Sequence, residues 1–288
     1  MPKRILVLGG TGMLGKPVVR CLKENDFQVR VLVRDVKKAE ASWDGSVEVV
    51  QGDVVNRDHL EAGLEDCYGV HISVGGEVDR ISAENVAALA PGLGVQQITY
   101  ISGATVAEKN RWFSMVAQKL DAEKAIRDCG VAHTIFCPTW AMEQLPRFAR
   151  NGKPSLLGAQ PLPVHFFAAD DLAHMVSKAY QLEGAKNRRL YVYGPEAMTM
   201  KTALERYCGV FHPEVKRIPV MPLWLAKLLG ILTGNKMLKF AAGLMAYFDK
   251  TAEVGDSSEA NAILGPPRTT LDAWLEARKS AIDRLSPA

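Results

Sequence analysis

Glycines spaced for a phosphate-binding turn stand near the start of the chain. Residues 5–15 read ILVLGGTGMLG, so that an apolar run leads directly into a G-x-G-x-x-G pattern beginning at Gly10. Such glycines allow positive φ, let a pyrophosphate approach the backbone, and let the next helix pack closely on the strand. Free N–H groups at the start of that helix would face the phosphates. The segment predicts a dinucleotide site formed by Gly9, Thr11, Gly12, Met13, Leu14 and Gly15.

A basic residue follows the second predicted strand, where NAD-specific folds usually place a carboxylate on the ribose 2′-hydroxyl. This chain has Arg34 there, followed by Asp35, with Lys37 and Lys38 close behind. Because a guanidinium fits a phosphate with two hydrogen bonds, we predict NADP, with NADPH preferred over NADH. The alternative is that Asp35 binds the ribose and Arg34 is a solvated residue.

The elements around these residues predict an α/β fold with a doubly wound parallel (Rossmann) sheet. Strand and helix signals alternate, with strands at 4–8, 27–33, 46–50, 69–73, 97–101 and 133–137 and helices at 13–24, 57–64, 79–90 and 113–129. Ligands of such sheets bind outside the carboxyl ends of the strands. We therefore expect one crevice to be faced by Gly9, Arg34, Asp53, Ser73 and Ser102.

The alternation weakens after Pro138. Residues 1–193 are predicted to form the NAD(P)-binding domain, with an insertion around 139–163 that contributes to the substrate crevice. Residues 194–288 are predicted to form a smaller, mostly helical C-terminal domain for a substrate or partner.

The sequence predicts specific structures for two segments after Pro138. Strands at 164–167 and 189–193, with a helix between them, are expected to return to the main sheet. The most apolar stretch, 219–248, is interrupted by lysines short of the roughly twenty apolar residues of a membrane span, so no integral membrane segment is predicted. We interpret it as a pair of packed helices over the crevice, the alternative being a hydrophobic lid or membrane-surface helix for an apolar substrate.

Composition excludes several classes of function. The net charge is +3, from 35 basic and 32 acidic residues without a long basic run, which argues against nucleic acid as a partner. The five cysteines form no C-x-x-C pair, so reduced thiols are expected. The first strand leaves no room for a cleavable signal ahead of it, so a cytoplasmic protein is expected. Asp170, Asp171 and His174, with His165 upstream, have no recognised ligand spacing, so no metal site is predicted.

The chain resembles the atypical and extended short-chain dehydrogenase/reductase superfamily, most closely its NmrA-like branch. The matching segments are GGTGMLG at 9–15, VLVR at 31–34, Gly52-Asp53, YISG at 100–103, Lys119 with Glu123, and TIFCP at 134–138, which together cover about half of the chain. The resemblance implies an NADP-binding Rossmann domain with a small C-terminal domain. It further implies that Asp53 lies beside the adenine, residues 71–73 beside the cofactor ribose, and Lys119 on the nicotinamide ribose.

The catalytic set of this superfamily is incomplete here. Its active members use Ser, Tyr and Lys, with tyrosine as the general acid/base and lysine lowering its pKa. The Y-x-x-x-K spacing back from Lys119 gives Met115, which transfers no proton, and the usual serine falls on Gly103, with Ser102 or Thr105 nearby. Lys119 is the one predicted catalytic residue, and the alternative is a solvated helix charge paired with Glu123.

Two functions from different classes follow from the resemblance. In the first, the protein is an NADPH-dependent oxidoreductase acting on a small apolar or carbonyl/enone substrate, with lysine alone carrying the proton, as in isoflavone-reductase-like proteins. In the second, it binds NADP without turnover and acts on a protein partner as a redox sensor, regulator or assembly factor. The missing tyrosine favours the second. Residues considered as replacement proton donors are Tyr100, Ser102, Thr105, His71 and Tyr193.

Overall fold

The central sheet of the computed structural model consists of seven parallel strands. Residues 2–43 and 45–285 are described. In this part of the chain the strands are β1 (Arg4–Leu8), β2 (Gln28–Val33), β3 (Glu48–Gln51), β4 (Gly69–Ile72), β5 (Gln97–Ile101), β6 (Ala132–Pro138), β7 (Leu156–Leu157), β8 (Val164–Phe166), β9 (Arg188–Val192), β10 (Glu196–Met198) and β11 (Val220–Met221). The central sheet has the order β3-β2-β1-β4-β5-β6-β9. The strand order therefore reverses between β1 and β4, as in dinucleotide-binding sheets.

Helices flank the sheet and continue beyond it. They are α1 (Gly15–Glu24), α2 (Val36–Trp43), α3 (Arg57–Leu64), α4 (Val78–Leu89), α5 (Ser114–Asp128), α6 (Leu145–Phe148), α7 (Ala169–Ala179), α8 (Met200–Phe211), α9 (Leu223–Leu232), α10 (Lys236–Phe248), α11 (Ser258–Leu264) and α12 (Leu271–Leu285). The apolar run of β1 is fully buried, as expected for a parallel strand covered on both faces. Leu6 and Leu8 pack in one cluster with Leu60, Val86 and Ile126 from α3, α4 and α5.

The expectation that residues 164–193 return to the main sheet is correct for its second strand and wrong for its first. β9 pairs in parallel with β6. β8 pairs instead with β10, antiparallel and in a separate sheet. The physical reason is Gly194, where a Cβ would lie 1.7 Å from the Phe166 carbonyl oxygen. Only glycine permits this approach, which brings the following strand alongside β8.

The chain divides into two compact units, each made of several segments. The first comprises Met1–Pro138, Ala169–Val192 and Val254–Pro266, and it contains the central sheet. The second comprises Thr139–Ala168, Tyr193–Glu253 and Pro267–Ala288, and it contains the two-stranded sheets with the helices α8, α9 and α10. Separate domains over 1–193 and 194–288 stay a prediction.

A histidine is enclosed between the central strands. His71 on β4 is fully buried, and its Nδ1 lies 2.8 Å from the Thr99 hydroxyl, which in turn lies 2.8 Å from the Tyr180 hydroxyl. Burial disfavours the imidazolium and lowers the pKa of His71 from 6.5 to about 3. The folded protein therefore excludes a proton that the unfolded chain accepts below about pH 6.5.

We expect His71 to make folding stability depend on pH. The unfolded chain binds more protons between the two pKa values, so stability is full above the unfolded pKa and falls as the pH drops towards the folded one. From about pH 7 to about pH 5 the free energy of unfolding should decrease by about 2 kcal/mol through this group. Urea unfolding of the parent and His71→Gln across this range measures it, with the exposed His174→Gln as control. An unchanged pH dependence in His71→Gln contradicts the assignment.

A buried carboxylate ties α5 to the sheet. Glu123 is 1% exposed and receives two hydrogen bonds from Arg189 on β9, at 2.9 and 3.2 Å, and one from Arg127 at 3.0 Å. The Ser102 hydroxyl, just after β5, donates to the same carboxylate. Arg189 also donates to the Val106 carbonyl at 2.7 Å. A buried charge satisfied in this way holds three segments in one register.

We expect Arg189→Met to destabilise the fold by about 2–3 kcal/mol, because it leaves part of the buried charge of Glu123 uncompensated. The neighbouring Arg188→Met should cost less than about 0.5 kcal/mol, because Arg188 forms only an exposed pair with Glu259. Adding Glu123→Gln to Arg189→Met should recover part of the loss. Urea-unfolding free energies test the set, and equal costs for the two arginines would disprove the assigned role.

Candidate functional site

The turn between β1 and α1 accepts only glycine at its key positions. Gly9 has φ +87°, and a Cβ there would lie 2.7 Å from the Ser73 carbonyl oxygen. A Cβ on Gly15 would lie 2.0 Å from the Gly9 carbonyl oxygen, which also accepts a 2.8 Å hydrogen bond from the Gly12 amide. The backbone therefore folds back on itself without side chains in the way, which leaves its outer surface open to a ligand.

The start of α1 has the properties of an anion site. No side chain caps the helix, and no acidic residue occupies its first turn. Within the described residues, the backbone amides of Met13 and Leu14 donate no hydrogen bond. Unpaired amides and the positive end of the helix dipole together favour a phosphate group.

A cavity of about 610 Å³ lies beside this turn, and we call it the glycine-turn cavity. The volume falls in the range of small-molecule sites. Its walls come from the carboxyl ends of β1, β2, β3 and β4. They include the predicted site residues Gly9, Thr11, Gly12, Arg34, Asp53 and Ser73. The sheet topology thus brings together six predicted residues from four separate segments of the chain.

Three polar side chains of this cavity differ in the hydrogen bonds that they form with the rest of the protein. Asp53 accepts a 3.2 Å hydrogen bond from the Val55 amide, and Ser73 donates at 3.2 Å to the Leu8 carbonyl. Arg34 is exposed, and its guanidinium forms no ion pair or hydrogen bond with the part of the chain that the structure describes. Arg34 is therefore available to an anionic group of a ligand.

Ser102 and Lys119 do not line the glycine-turn cavity. The Ser102 hydroxyl faces Glu123. The Lys119 Nζ donates to the Ile101 carbonyl at 2.6 Å and lies 2.9 Å from Asp79 Oδ2, with its side chain 17% exposed. The alternative of a solvated lysine paired with Glu123 is wrong, because Lys119 on α5 points towards α4.

Asp79 is the residue that sequence reasoning missed. It is 3% exposed, and it accepts from the Tyr100 hydroxyl at 3.0 Å through the same Oδ2 that faces Lys119. Its Oδ1 has no hydrogen-bond partner among the described residues. An acidic residue in the first turn of α4 reads in the sequence as an ordinary helix-start charge, so no local signal pointed to it.

Two of the candidate replacement proton donors lie inside the core. Tyr100 is fully buried, and burial together with the charge of Asp79 raises the pKa of its hydroxyl. His71 is equally buried. Neither side chain reaches the glycine-turn cavity, and a raised pKa weakens Tyr100 as an acid.

Potential metal ligands converge elsewhere in the described residues. Cys21 and Glu24 on α1 and His174 on α7 bring ligand atoms within 4.8 Å of one another, outside the lining of the glycine-turn cavity. His165 instead lies 2.7 Å from a carboxylate oxygen of Glu253. That the protein has no metal site stays a prediction. Across the described ranges, no helix has the length and apolar character needed to cross a membrane.

Sequence relatives include both enzymes and an assembly factor. The NAD(P)H azoreductase of Xenophilus azovorans is 28% identical over 206 residues, covering 68% of this chain and 69% of its own. The photosystem II assembly factor Ycf39 of Guillardia theta is 21% identical over 295 residues, covering 94% of this chain and 93% of its own.

Solved structures share the fold. The triphenylmethane reductase of Citrobacter sp., complexed with NADP(H), superposes with a TM-score of 0.75 at 20% identity, covering 95% of this chain and 99% of that one. The Escherichia coli NADPH-dependent quinone oxidoreductase QOR2, complexed with NADPH, gives 0.73 at 21% identity, again covering 95% and 99%.

The match to a known family extends over nearly the whole sequence. The model of the NmrA-like family matches residues 1–275 of the 288. The parallel sheet with its glycine turn and the helical second unit agree with that assignment. The chain belongs to the NmrA-like family.

Proposed function

We propose that this protein binds NADP(H) in the glycine-turn cavity and acts as an NADPH-dependent oxidoreductase on a small apolar, carbonyl or enone substrate. The observation that carries the proposal is the position of the exposed Arg34 in the same cavity as the glycine turn. A phosphate cradle alone would suit many nucleotides. A guanidinium at the end of β2 adds a group that distinguishes a 2′-phosphate from a 2′-hydroxyl.

The residues present fit such a cofactor. The glycine turn and the open amides of α1 would hold the pyrophosphate, Arg34 the 2′-phosphate, Asp53 the adenine side and Ser73 a ribose. When bound, NADPH supplies a hydride equivalent. The same cofactor class for this chain is supported by the NAD(P)H azoreductase, the triphenylmethane reductase complexed with NADP(H) and the NADPH-dependent quinone oxidoreductase.

We assign Lys119 to the proton-transfer side of the reaction. An ammonium group has three N–H donors, and the described partners Asp79 and Ile101 engage two of them. The third remains for an acceptor on a substrate or cofactor. Asp79 fixes the direction of the Lys119 ammonium group, so that its N–H donors lie at a defined place without the usual tyrosine.

A second candidate function is NADP(H) binding without turnover, in a regulator or assembly factor that acts through a protein partner. Two observations favour it. Met115 occupies the position of the usual catalytic tyrosine, and the Lys119 nitrogen lies against a buried carboxylate outside the lining of the glycine-turn cavity. The assembly-factor relative, which matches 94% of this chain, agrees with this alternative.

We expect Arg34→Ala to weaken NADPH binding by about 10- to 100-fold while changing NADH binding by less than about threefold, because a charge-assisted hydrogen bond to the 2′-phosphate is worth about 1.5–3 kcal/mol. Calorimetric titration of the parent and the variant with both cofactors measures the effect. Arg20→Ala serves as a matched control, since Arg20 is also an exposed arginine of the first unit but does not line the cavity. Equal losses for both cofactors would refute the NADP preference.

We expect Lys119→Met to lower kcat for NADPH oxidation by about 10²-fold or more, the usual contribution of a proton-transfer group. A panel of quinones, azo dyes, enones and aldehydes provides the acceptors. Lys124→Met on the same helix, which removes only an exposed pair with Asp128, should leave kcat unchanged. Tight NADPH binding with no turnover on any acceptor would reject the enzyme and favour the regulator. Absence of binding would reject both functions.

A further inference from the structure

Large apolar side chains are exposed on two consecutive helices of the second unit. α9 and α10, joined by Thr233, Gly234 and Asn235, form a hairpin over Leu223–Phe248 in which the helices pack against each other. The most exposed apolar side chains of this hairpin are Trp224 at 67%, Ile231 at 65%, Leu232 at 71%, Met237 at 73% and Phe240 at 62%. Several large exposed apolar side chains on one hairpin indicate an interaction site.

The hairpin buries few of its residues. Ala226 and Gly230 are the buried residues of α9, and Ala242, Met245 and Tyr247 are those of α10. A Cβ on Gly230 would lie 3.0 Å from the Lys239 backbone nitrogen, so the two helices cross at close range there. A helix built only to cover a core would turn its tryptophan, isoleucine and phenylalanine inwards. This hairpin turns them outwards.

All charged residues of the hairpin and of the eight residues before it have the same sign. From Val215 to Phe248 the sequence has five basic residues and no acidic one. The basic residues, all exposed, are Lys216, Arg217, Lys227, Lys236 and Lys239. None of them forms an ion pair within the described ranges.

We propose that this hairpin docks on the surface of an anionic lipid bilayer. Its helices of 10 and 13 residues are about 15 and 20 Å long, too short to cross a hydrocarbon core of about 30 Å. Helices that combine apolar side chains with interspersed lysines lie in the membrane interface. There the apolar groups enter the acyl boundary, the lysine stems extend to the phosphates, and Trp224 suits the headgroup level.

The alternatives fit these observations less well. A second copy of the chain, paired about a two-fold axis through the hairpin, would bring identical lysines together without an acidic partner. A partner protein would need an acidic rim around an apolar groove. A bilayer with anionic headgroups supplies both properties at once.

Sedimentation with vesicles tests the proposal on the full chain. We expect the protein to bind vesicles of phosphatidylcholine with about 30% phosphatidylglycerol, and to bind phosphatidylcholine alone at least about tenfold less. Ile231→Ser with Leu232→Ser should reduce binding to the anionic vesicles about tenfold or more, because it removes the apolar anchors. Lys236→Gln with Lys239→Gln should abolish the preference for anionic vesicles, as should high salt. All these side chains are exposed, so the variants should unfold at the parent's urea midpoint.

A matched control separates this surface from general stickiness. Trp224→Ser should weaken vesicle binding, whereas Trp112→Ser, at a tryptophan 68% exposed in the first unit, should not. No sedimentation with anionic vesicles, or equal effects of the two tryptophan variants, overturns the proposal. A parent dimer that Ile231→Ser with Leu232→Ser converts to monomer, without vesicle binding, overturns it in favour of a second copy.

Discussion

The close contact between the end of β1 and the start of α1 is the constraint from which the rest of the site follows. The distance of 2.0 Å between a Cβ on Gly15 and the Gly9 carbonyl would be impossible for any side chain. Because the helix begins this close to the strand, its open amides lie near the carboxyl edge of the sheet. The reversal of strand order between β1 and β4 leaves a crevice at the same place. One local turn therefore sets where the glycine-turn cavity lies and which strand ends line it.

Buried carboxylates organise the neighbouring part of the first unit. Glu123 joins α5 to β9 and to the segment after β5, and Asp79 joins α4 to Tyr100 and Lys119. The partners of each carboxylate lie mostly far away in sequence, so each holds together elements that are distant along the chain. The two carboxylates also pair with different basic residues. Glu123 pairs with Arg127 and Arg189, whereas Asp79 pairs with Lys119 and fixes its direction.

The second unit combines a buried apolar core with a hairpin that exposes large apolar side chains. Its core cluster contains Phe166, Leu204, Tyr207 and Leu271, the usual large apolar residues. The α9–α10 hairpin contributes Met245 to this cluster and buries Tyr247, but it leaves exposed the side chains of Trp224, Ile231, Leu232, Met237 and Phe240. The apolar area of these five side chains stays in contact with water and adds little hydrophobic stabilisation to the fold. A surface built in this way is suited to an apolar environment outside the protein.

The sequence by itself determined what depends on neighbouring residues. Three sequence features predicted the parallel sheet and the position of the glycine-turn cavity. They are the apolar runs of β1 and β2, the glycine spacing between Gly9 and Gly15, and the alternation of elements up to Pro138. Only the tertiary structure decided which partner each distant group receives. Examples are the pairing of β8 with β10, of Lys119 with Asp79 and of Ser102 with Glu123, in which the partners lie between 21 and 40 residues apart. Periodicity encodes which face of an element is apolar, but the choice among several buried partners depends on how the elements pack in three dimensions.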